Sequence, residues 1–214
     1  LRTPLGSVLG FSQLLQRDPQ LDMRQRRFLK TIESSGEHLL GLLNEVLSLS
    51  KIEAGKMRLK DGVFDPRALL QGARGMVQIR AEKKGLRLLD ETAGGHFPQR
   101  VRGDEGKLRQ VLLNLLGNAI KFTPEGEIMV DVRGDGGKVV VRVKDDGIGI
   151  PQQALPNLFK RFYRTQTAVE KGIAGTGLGL SMVKESIEHY NGTISVESGK
   201  GEGTTFIVQI PIAK

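Results

Sequence analysis

The chain has 214 residues, 38% hydrophobic and 26% charged, with a formal net charge of +8. That suits a folded protein with room for one large domain, or an ordinary domain plus a small helical piece, and it excludes a disordered chain. Cys is absent, which excludes disulfide scaffolds, thiolate zinc sites and cysteine nucleophiles, and no apolar run approaches the roughly 18–20 residues that cross a bilayer.

The first stretch, residues 1–56, is helical in pattern. It opens Leu1-Arg2-Thr3-Pro4 with no initiator Met, which reads as a piece of a longer polypeptide. Leu5, Val8, Leu9, Phe11 and Leu15 share one helical face, and Asp18-Pro19 ends it. Phe28, Ile32, Leu39, Leu42, Leu43, Val46, Leu47 and Ile52 mark a longer second helix, with Gly55 as its C-terminal cap. Two helices on a short turn cannot bury both sides of such a stripe. The stripe needs a second copy, forming a dimeric four-helix bundle, or else the rest of the chain.

Residues 57–214 change pattern. Residues 57–64 alternate as an edge strand. Residues 66–84 read as a helix with Asp65 as N-cap and Pro66 in its first turn. A short strand is expected over 86–90, and an amphipathic helix over 104–122 begins at the N-cap Asp104. Strands 128–132 and 139–143 flank Gly134-Asp135-Gly136-Gly137, a hairpin signal. A helix over 177–190 and strands 193–197 and 205–210, joined by the glycine-rich 198–203, complete the chain. The expected fold class is α+β: a two-helix hairpin, then an α/β sandwich with helices on one face of a single mixed or antiparallel sheet.

Three segments carry chemistry. Asp145-Asp146-Gly147-Ile148-Gly149 leaves a strand. Its glycines permit a sharp turn and close approach of a ligand, and a carboxylate at the mouth accepts a hydrogen bond from an exocyclic amine; a solvated surface turn is the alternative. Gly175-Thr176-Gly177-Leu178-Gly179-Leu180 opens a helix, where free N–H groups make an anion site, or else serves as a flexible hinge. It is neither a P-loop nor a dinucleotide fingerprint. Asn114 and Asn118 stand one turn apart among leucines, with Lys121 in the same neighbourhood. Buried amides there need partners, either Mg²⁺ and its phosphates or hydrogen bonds within the fold.

In this order, and with the aromatic segment Leu158-Phe159-Lys160-Arg161-Phe162-Tyr163-Arg164 and the final Gly201-Glu202-Gly203-Thr204-Thr205-Phe206, the chain resembles the sensor histidine kinases of two-component signalling. These lie within the ATPase superfamily of gyrase and the Hsp90 chaperones. Residues 108–123 resemble the N box, 145–149 and 175–180 the two G boxes, and 158–164 the F box.

The resemblance implies an ATP-binding domain over 57–214 and a dimerisation and histidine-phosphotransfer hairpin over 1–56. It implies that Asp145 takes the adenine amine, with Gly147 and Gly149 shaping its loop and Thr204 near the base through water. Asn118 would hold Mg²⁺, with Asn114 near the γ-phosphate, Lys121 on phosphate, and N–H groups of Gly175, Thr176, Gly177, Leu178 and Gly179 on the phosphates. Arg164 would reach the γ-phosphate from a mobile polar lid over 164–174, with Phe159 and Phe162 packing to anchor it. The phosphoacceptor His is expected two residues before Leu1, since Leu1-Arg2-Thr3-Pro4-Leu5 resembles the end of the H box; Thr3 takes the position tied to phosphatase activity. His38, His96 and His189 lack that context.

The expected reaction is transfer of the ATP γ-phosphoryl to His and then to an Asp of a response regulator. The implied partners are a second copy and that regulator, with no nucleic acid and no direct membrane contact. The implied location is the cytoplasm, either free or as the cytoplasmic part of a membrane-bound sensor. A nucleotide-binding regulatory module without phosphotransfer is the alternative. An ATPase clamp of the gyrase type is a third, disfavoured because Asn114 stands where those enzymes carry a Glu base.

Overall fold

The computed structural model describes residues 2–53, 62–91, 100–135 and 137–211. The chain divides into two compact units, Leu1–Met57 and Arg58–Lys214. Gly55, His96 and residues 54–61 lie outside the described residues, as does the side chain of His38.

The first unit pairs α1 (Arg2–Gln16) with α2 (Met23–Glu53). Leu9 and Leu29 are buried between them, and Gly36 lets Leu9 approach, because a Cβ there would stand 2.7 Å from Leu9 Cδ2. The turn is held by a reciprocal capping box. The Gln25 N–H donates to Asp22 Oδ1 at 2.7 Å, and the Asp22 N–H donates to Gln25 Oε1 at 2.9 Å. The Arg26 guanidinium donates to the Asp18 carbonyl at 3.0 Å and the Leu21 carbonyl at 3.3 Å. Val8, Phe11, Leu15, Phe28, Ile32 and Leu39 remain exposed, so half of the apolar stripe read in the sequence is uncovered by this unit's own packing.

The second unit contains two sheets, not the single sheet expected. β1 (Gly62–Phe64) and β3 (Val101–Gly103) form a separate antiparallel pair. The larger sheet runs β2 (Arg87–Asp90), β4 (Glu127–Asp135), β5 (Lys138–Asp145), β7 (Thr204–Pro211), β6 (Thr193–Ser198). β2 joins β4 in parallel, and every other pairing is antiparallel. Three-residue strands carry too little alternation to read, which is why β3 escaped the sequence pattern.

Helices α3 (Pro66–Glu82), α4 (Glu105–Phe122) and α6 (Gly179–His189) pack on the sheet core. Asp65 and Asp104 cap α3 and α4, accepting from the N–H groups of Arg67 and Lys107. Leu115 and Leu116 of α4 are fully enclosed, as are Ile128 and Val130 of β4 and Val143 of β5. Along β5 the residues facing the core are Val139, Val141, Val143 and Asp145; along β7 they are Thr204, Phe206, Val208 and Ile210. The period of two therefore places a carboxylate and a hydroxyl at the ends of two apolar rows, where ordinary core residues would continue.

Candidate nucleotide-binding site

Asp145 and Thr204 are directly paired across β5 and β7, and both are buried. The Gly147 N–H donates to Asp145 Oδ1 at 2.9 Å. Burial pushes the Asp145 carboxyl up to about 6. The N–H groups of Gly147 and Thr204 work against that rise, and the neighbouring Asp146 adds to it. A buried acceptor held at the mouth of a strand is costly to the empty fold, and it fits a ligand that donates a hydrogen bond there.

The loop after Asp145 has no space for side chains at its glycines. A Cβ on Gly147 would stand 2.5 Å from Asp145 Oδ1 and 2.7 Å from the Phe122 carbonyl oxygen. Gly149 has φ +64°, and a Cβ there would stand 1.8 Å from the Gly199 carbonyl oxygen. The loop is bound on both sides. The Ile148 N–H donates to the Phe122 carbonyl at 3.1 Å, and the Gly201 N–H donates to the Ile148 carbonyl at 2.9 Å. The C-terminus of α4 is further held by Lys84, whose ammonium donates to the Ile120 and Lys121 carbonyls at 2.7 and 3.1 Å. No sequence signal pointed to Lys84, because the partners are about 36 residues away and the contact exists only in the folded chain.

Asn114, Asn118 and Lys121 follow one another along one side of α4, each half-buried. The glycine-rich segment crosses this side. A Cβ on Gly175 would stand 2.5 Å from Lys121 Nζ, and one on Gly179 would stand 4.0 Å from Asn114 Oδ1. Residues 175–179 thus run from the Lys121 end of α4 to the Asn114 end, past Asn118. The Leu178 N–H donates to Thr176 Oγ1 at 3.0 Å, and Leu178 is buried at the entry to α6. The first N–H groups of α6 have no partner within the helix. These N–H groups stand at the Asn114 end of the segment and the Lys121 ammonium at the Gly175 end, where a single Cβ would crowd it, so anion-binding groups flank residues 175–179.

This donor set fits Mg-nucleotide. The described residues hold no cluster of three His, Cys, Asp or Glu. The oxygens near this segment are neutral amides, which suit a cation whose charge is met by phosphates and not by carboxylates.

The segment after the F box is more structured than its polar sequence implied. Arg164 donates through its guanidinium to the Ile173 carbonyl, across the short helix α5 (Gln166–Glu170), which Thr165 caps and Ala168 anchors by burial. The base of this lid is closed by the Phe162 N–H donating to the Gly177 carbonyl at 3.0 Å. Phe159 packs against the core as expected. Phe162 does not: it adopts φ +62° and is 67% exposed. Its backbone passes so near Gly177 that a Cβ there would stand 2.6 Å from the Phe162 carbonyl carbon. Arg161 and Glu185 of α6 form an ion pair at 2.9 Å behind the lid. In the other unit, Thr3 is exposed on α1.

Residues 103–214 match the family of histidine kinase-, DNA gyrase B-, and HSP90-like ATPases, and residues 1–55 match the His Kinase A (phospho-acceptor) domain. The circadian input-output histidine kinase CikA of Synechococcus elongatus is 40% identical, covering 99% of this chain and 28% of that protein. The histidine protein kinase DivJ of Caulobacter vibrioides is 37% identical, over 99% of this chain and 36% of that protein. Among solved structures, full-length ShkA in complex with AMPPNP superposes with a TM-score of 0.84 at 34% identity, covering 100% of this chain and 44% of that one. The Acinetobacter baumannii histidine kinase AdeS shares the fold at a TM-score of 0.70 and 22% identity, over 98% of this chain and 96% of that one. The chain belongs to the sensor histidine kinase family of two-component signalling and corresponds to its catalytic core. It spans between about an eighth and two fifths of the length of the curated relatives it matches. No helix among the described residues is long and apolar enough to cross a membrane.

Proposed function

We propose that this chain binds Mg-ATP and transfers the γ-phosphoryl group to a histidine, which passes it to an aspartate of a response regulator. The observation that carries the reading is the meeting of three sequence-distant segments: the α4 side with Asn114, Asn118 and Lys121, the Gly175–Gly179 cradle laid across it, and Asp145 with Thr204 at the strand ends.

In this reading Asp145 accepts the adenine amine and Thr204 lies beside it. Asn118 holds Mg²⁺, which when bound neutralises phosphate charge. Lys121 and the N–H groups of residues 175–179 fix the phosphate chain, and Asn114 sits near the γ-phosphate. Phosphoryl transfer asks chiefly for positioning and charge neutralisation, which these groups supply. Arg164 reaches the γ-phosphate only after giving up the Ile173 carbonyl, so rearrangement of the lid is part of the reacting state.

The accepting histidine belongs two residues before Leu1, as the resemblance of residues 1–5 to the H box implies, with Thr3 as the phosphatase-linked position. The uncovered stripe on the hairpin, with Phe11 and Ile32 at its centre, fits a second copy and a four-helix bundle. Response-regulator docking follows from the hairpin family, and cytoplasmic location from that partner.

Calorimetric titration of the chain with a non-hydrolysable ATP analogue and Mg²⁺ tests the nucleotide half. Stoichiometric binding abolished by Asp145→Asn is expected; equal binding by that variant contradicts the adenine assignment.

A further inference from the structure

Ser198, the last residue of β6, lies outside every motif that suggested the nucleotide site, yet two segments of that site, the loop after Asp145 and the Gly203-Thr204 strand start, meet at its hydroxyl. The Ile150 N–H, from the loop that follows Asp145, donates to Ser198 Oγ at 2.8 Å. Ser198 Oγ donates to the Gly203 carbonyl at 2.6 Å. Thr204 Oγ1 lies 3.1 Å from Ser198 Oγ. Gln152 adds a fourth tie through the Ser198 carbonyl, at 2.9 Å.

The proton count fixes the direction of these bonds. A serine hydroxyl has one proton and two acceptor sites. An amide N–H can only donate and a carbonyl can only accept, so the Ser198 proton goes to Gly203 and one lone pair takes Ile150. The remaining lone pair can face Thr204 only as an acceptor. Thr204 must therefore spend its single proton on Ser198 and present nothing but lone pairs on its other side. Thr204 is also the register partner of Asp145, itself an acceptor and itself buried.

We propose that Ser198 is a positioning residue that sets the polarity of the base pocket: by taking the Thr204 proton it leaves two acceptors and no hydroxyl donor side by side. Such a pocket selects a purine with an exocyclic amine and rejects one with a carbonyl at the same place. The proposal rests on the adenine-site reading above and explains which base that site accepts. Ser198 does not touch the nucleotide in this account; it acts through Thr204.

The test compares the affinity of the whole chain for ATP and for inosine triphosphate, which differ at that position by amine against carbonyl. For the natural chain, a preference for ATP of about 30-fold or more is expected, because a site built around a hydrogen bond rejects the analogue that leaves its buried polar groups unpaired. In Ser198→Ala the Thr204 hydroxyl is free to donate, and the preference falls by about tenfold, with inosine triphosphate gaining as ATP loses. Ser198→Thr keeps the hydroxyl and keeps the preference. Ser198→Cys preserves volume with a weaker donor and shifts the preference in the same direction as Ser198→Ala, so it replaces that variant if it does not fold. In a Thr204→Val background Ser198→Ala brings no further change in the ratio, since Ser198 acts only through the Thr204 hydroxyl.

Uniform weakening of both nucleotides in Ser198→Ala, with the ratio intact, assigns Ser198 a merely structural role and overturns the proposal. Absence of any preference in the natural chain overturns the adenine reading itself, a different failure with a different signature.

Discussion

Lys121 Nζ occupies the space that a side chain on Gly175 would need, 2.5 Å from the position of its Cβ. The obstacle is the end of a flexible side chain, which can swing away, and Gly175 is not at positive φ. Gly175→Ala therefore leaves stability within about 0.5 kcal/mol of the natural chain while moving the ammonium off the phosphate cradle. The expected readout is an unchanged melting temperature with ATP affinity weakened about tenfold or more, ADP being less affected. An unchanged ratio of ATP to ADP affinity would detach Lys121 from the terminal phosphate.

The Asp145 carboxyl gives the domain a pH signature. Its pKa rises from the ordinary 3.8 to about 6, chiefly by burial, so the folded state holds the proton more tightly than the unfolded chain does. The sign follows: the empty protein gains stability from this group as pH falls from above 6 toward 4, and carries the full penalty above 6. Two units correspond to about 3 kcal/mol as an upper scale. Asp145→Asn removes the penalty, so at pH 7.5 it melts at least about 3 °C higher than the natural chain while losing nucleotide binding. ATP affinity of the natural chain is flat above pH 6 and weakens by up to about tenfold per unit below it. A melting temperature that drops in Asp145→Asn would show that the carboxylate is stabilised by the fold and not strained by it.

Glycines that look alike in sequence separate by what surrounds them. At Gly149 positive φ coincides with a carbonyl oxygen 1.8 Å from the missing Cβ, and that oxygen is backbone. Gly149→Ala should cost about 3 kcal/mol or more. Gly75, inside α3, has open space where its Cβ would be, and Gly75→Ala should add about 0.5–1 kcal/mol by helix propensity. Urea unfolding of both variants checks the pair; equal and opposite small effects would contradict the loop packing described for residues 145–151.

The hairpin makes its own prediction. Phe11 and Ile32 are exposed on the apolar stripe although both fit the periodicity of a core. Phe11→Asp combined with Ile32→Asp should convert a dimer to a monomer by light scattering, without loss of nucleotide binding by the second unit. A natural chain that is already monomeric at tens of micromolar would remove the second copy as occupant of that face.

The elements with long periodic patterns were legible: α4, with leucines filling its core side, and β5 and β7, with strict alternation. The site was legible as five motifs in order, since glycines and asparagines in apolar surroundings are costly without a purpose. What was not legible depends on distance in sequence. β3 is three residues long and acquires meaning only beside β1. Lys84 has no local signature, and its role at the end of α4 is created by the fold. Ser198 looked like a turn residue, because a hydroxyl reveals its partners only when the fold brings the Ile150 loop and the Gly203-Thr204 segment to it. Phe162 was read as a packing residue from its type, yet it sits at positive φ and is exposed. The lid reads as mobile from its polar, glycine-containing sequence, which gives no sign of the short helix that Thr165 caps or of the Arg164 bond to the Ile173 carbonyl.

The central claim is histidine phosphorylation from the nucleotide held between α4, the Gly175–Gly179 cradle and Asp145. Its most direct test is incubation with γ-labelled ATP and Mg²⁺ of two forms: the chain of 214 residues and the same chain extended at its N-terminus through its natural preceding residues. Label that is acid-labile and base-stable, on the extended form alone and lost in Asn118→Ala, is the predicted result. Nucleotide bound by both forms with label on neither would contradict the account and leave a nucleotide-binding regulatory module.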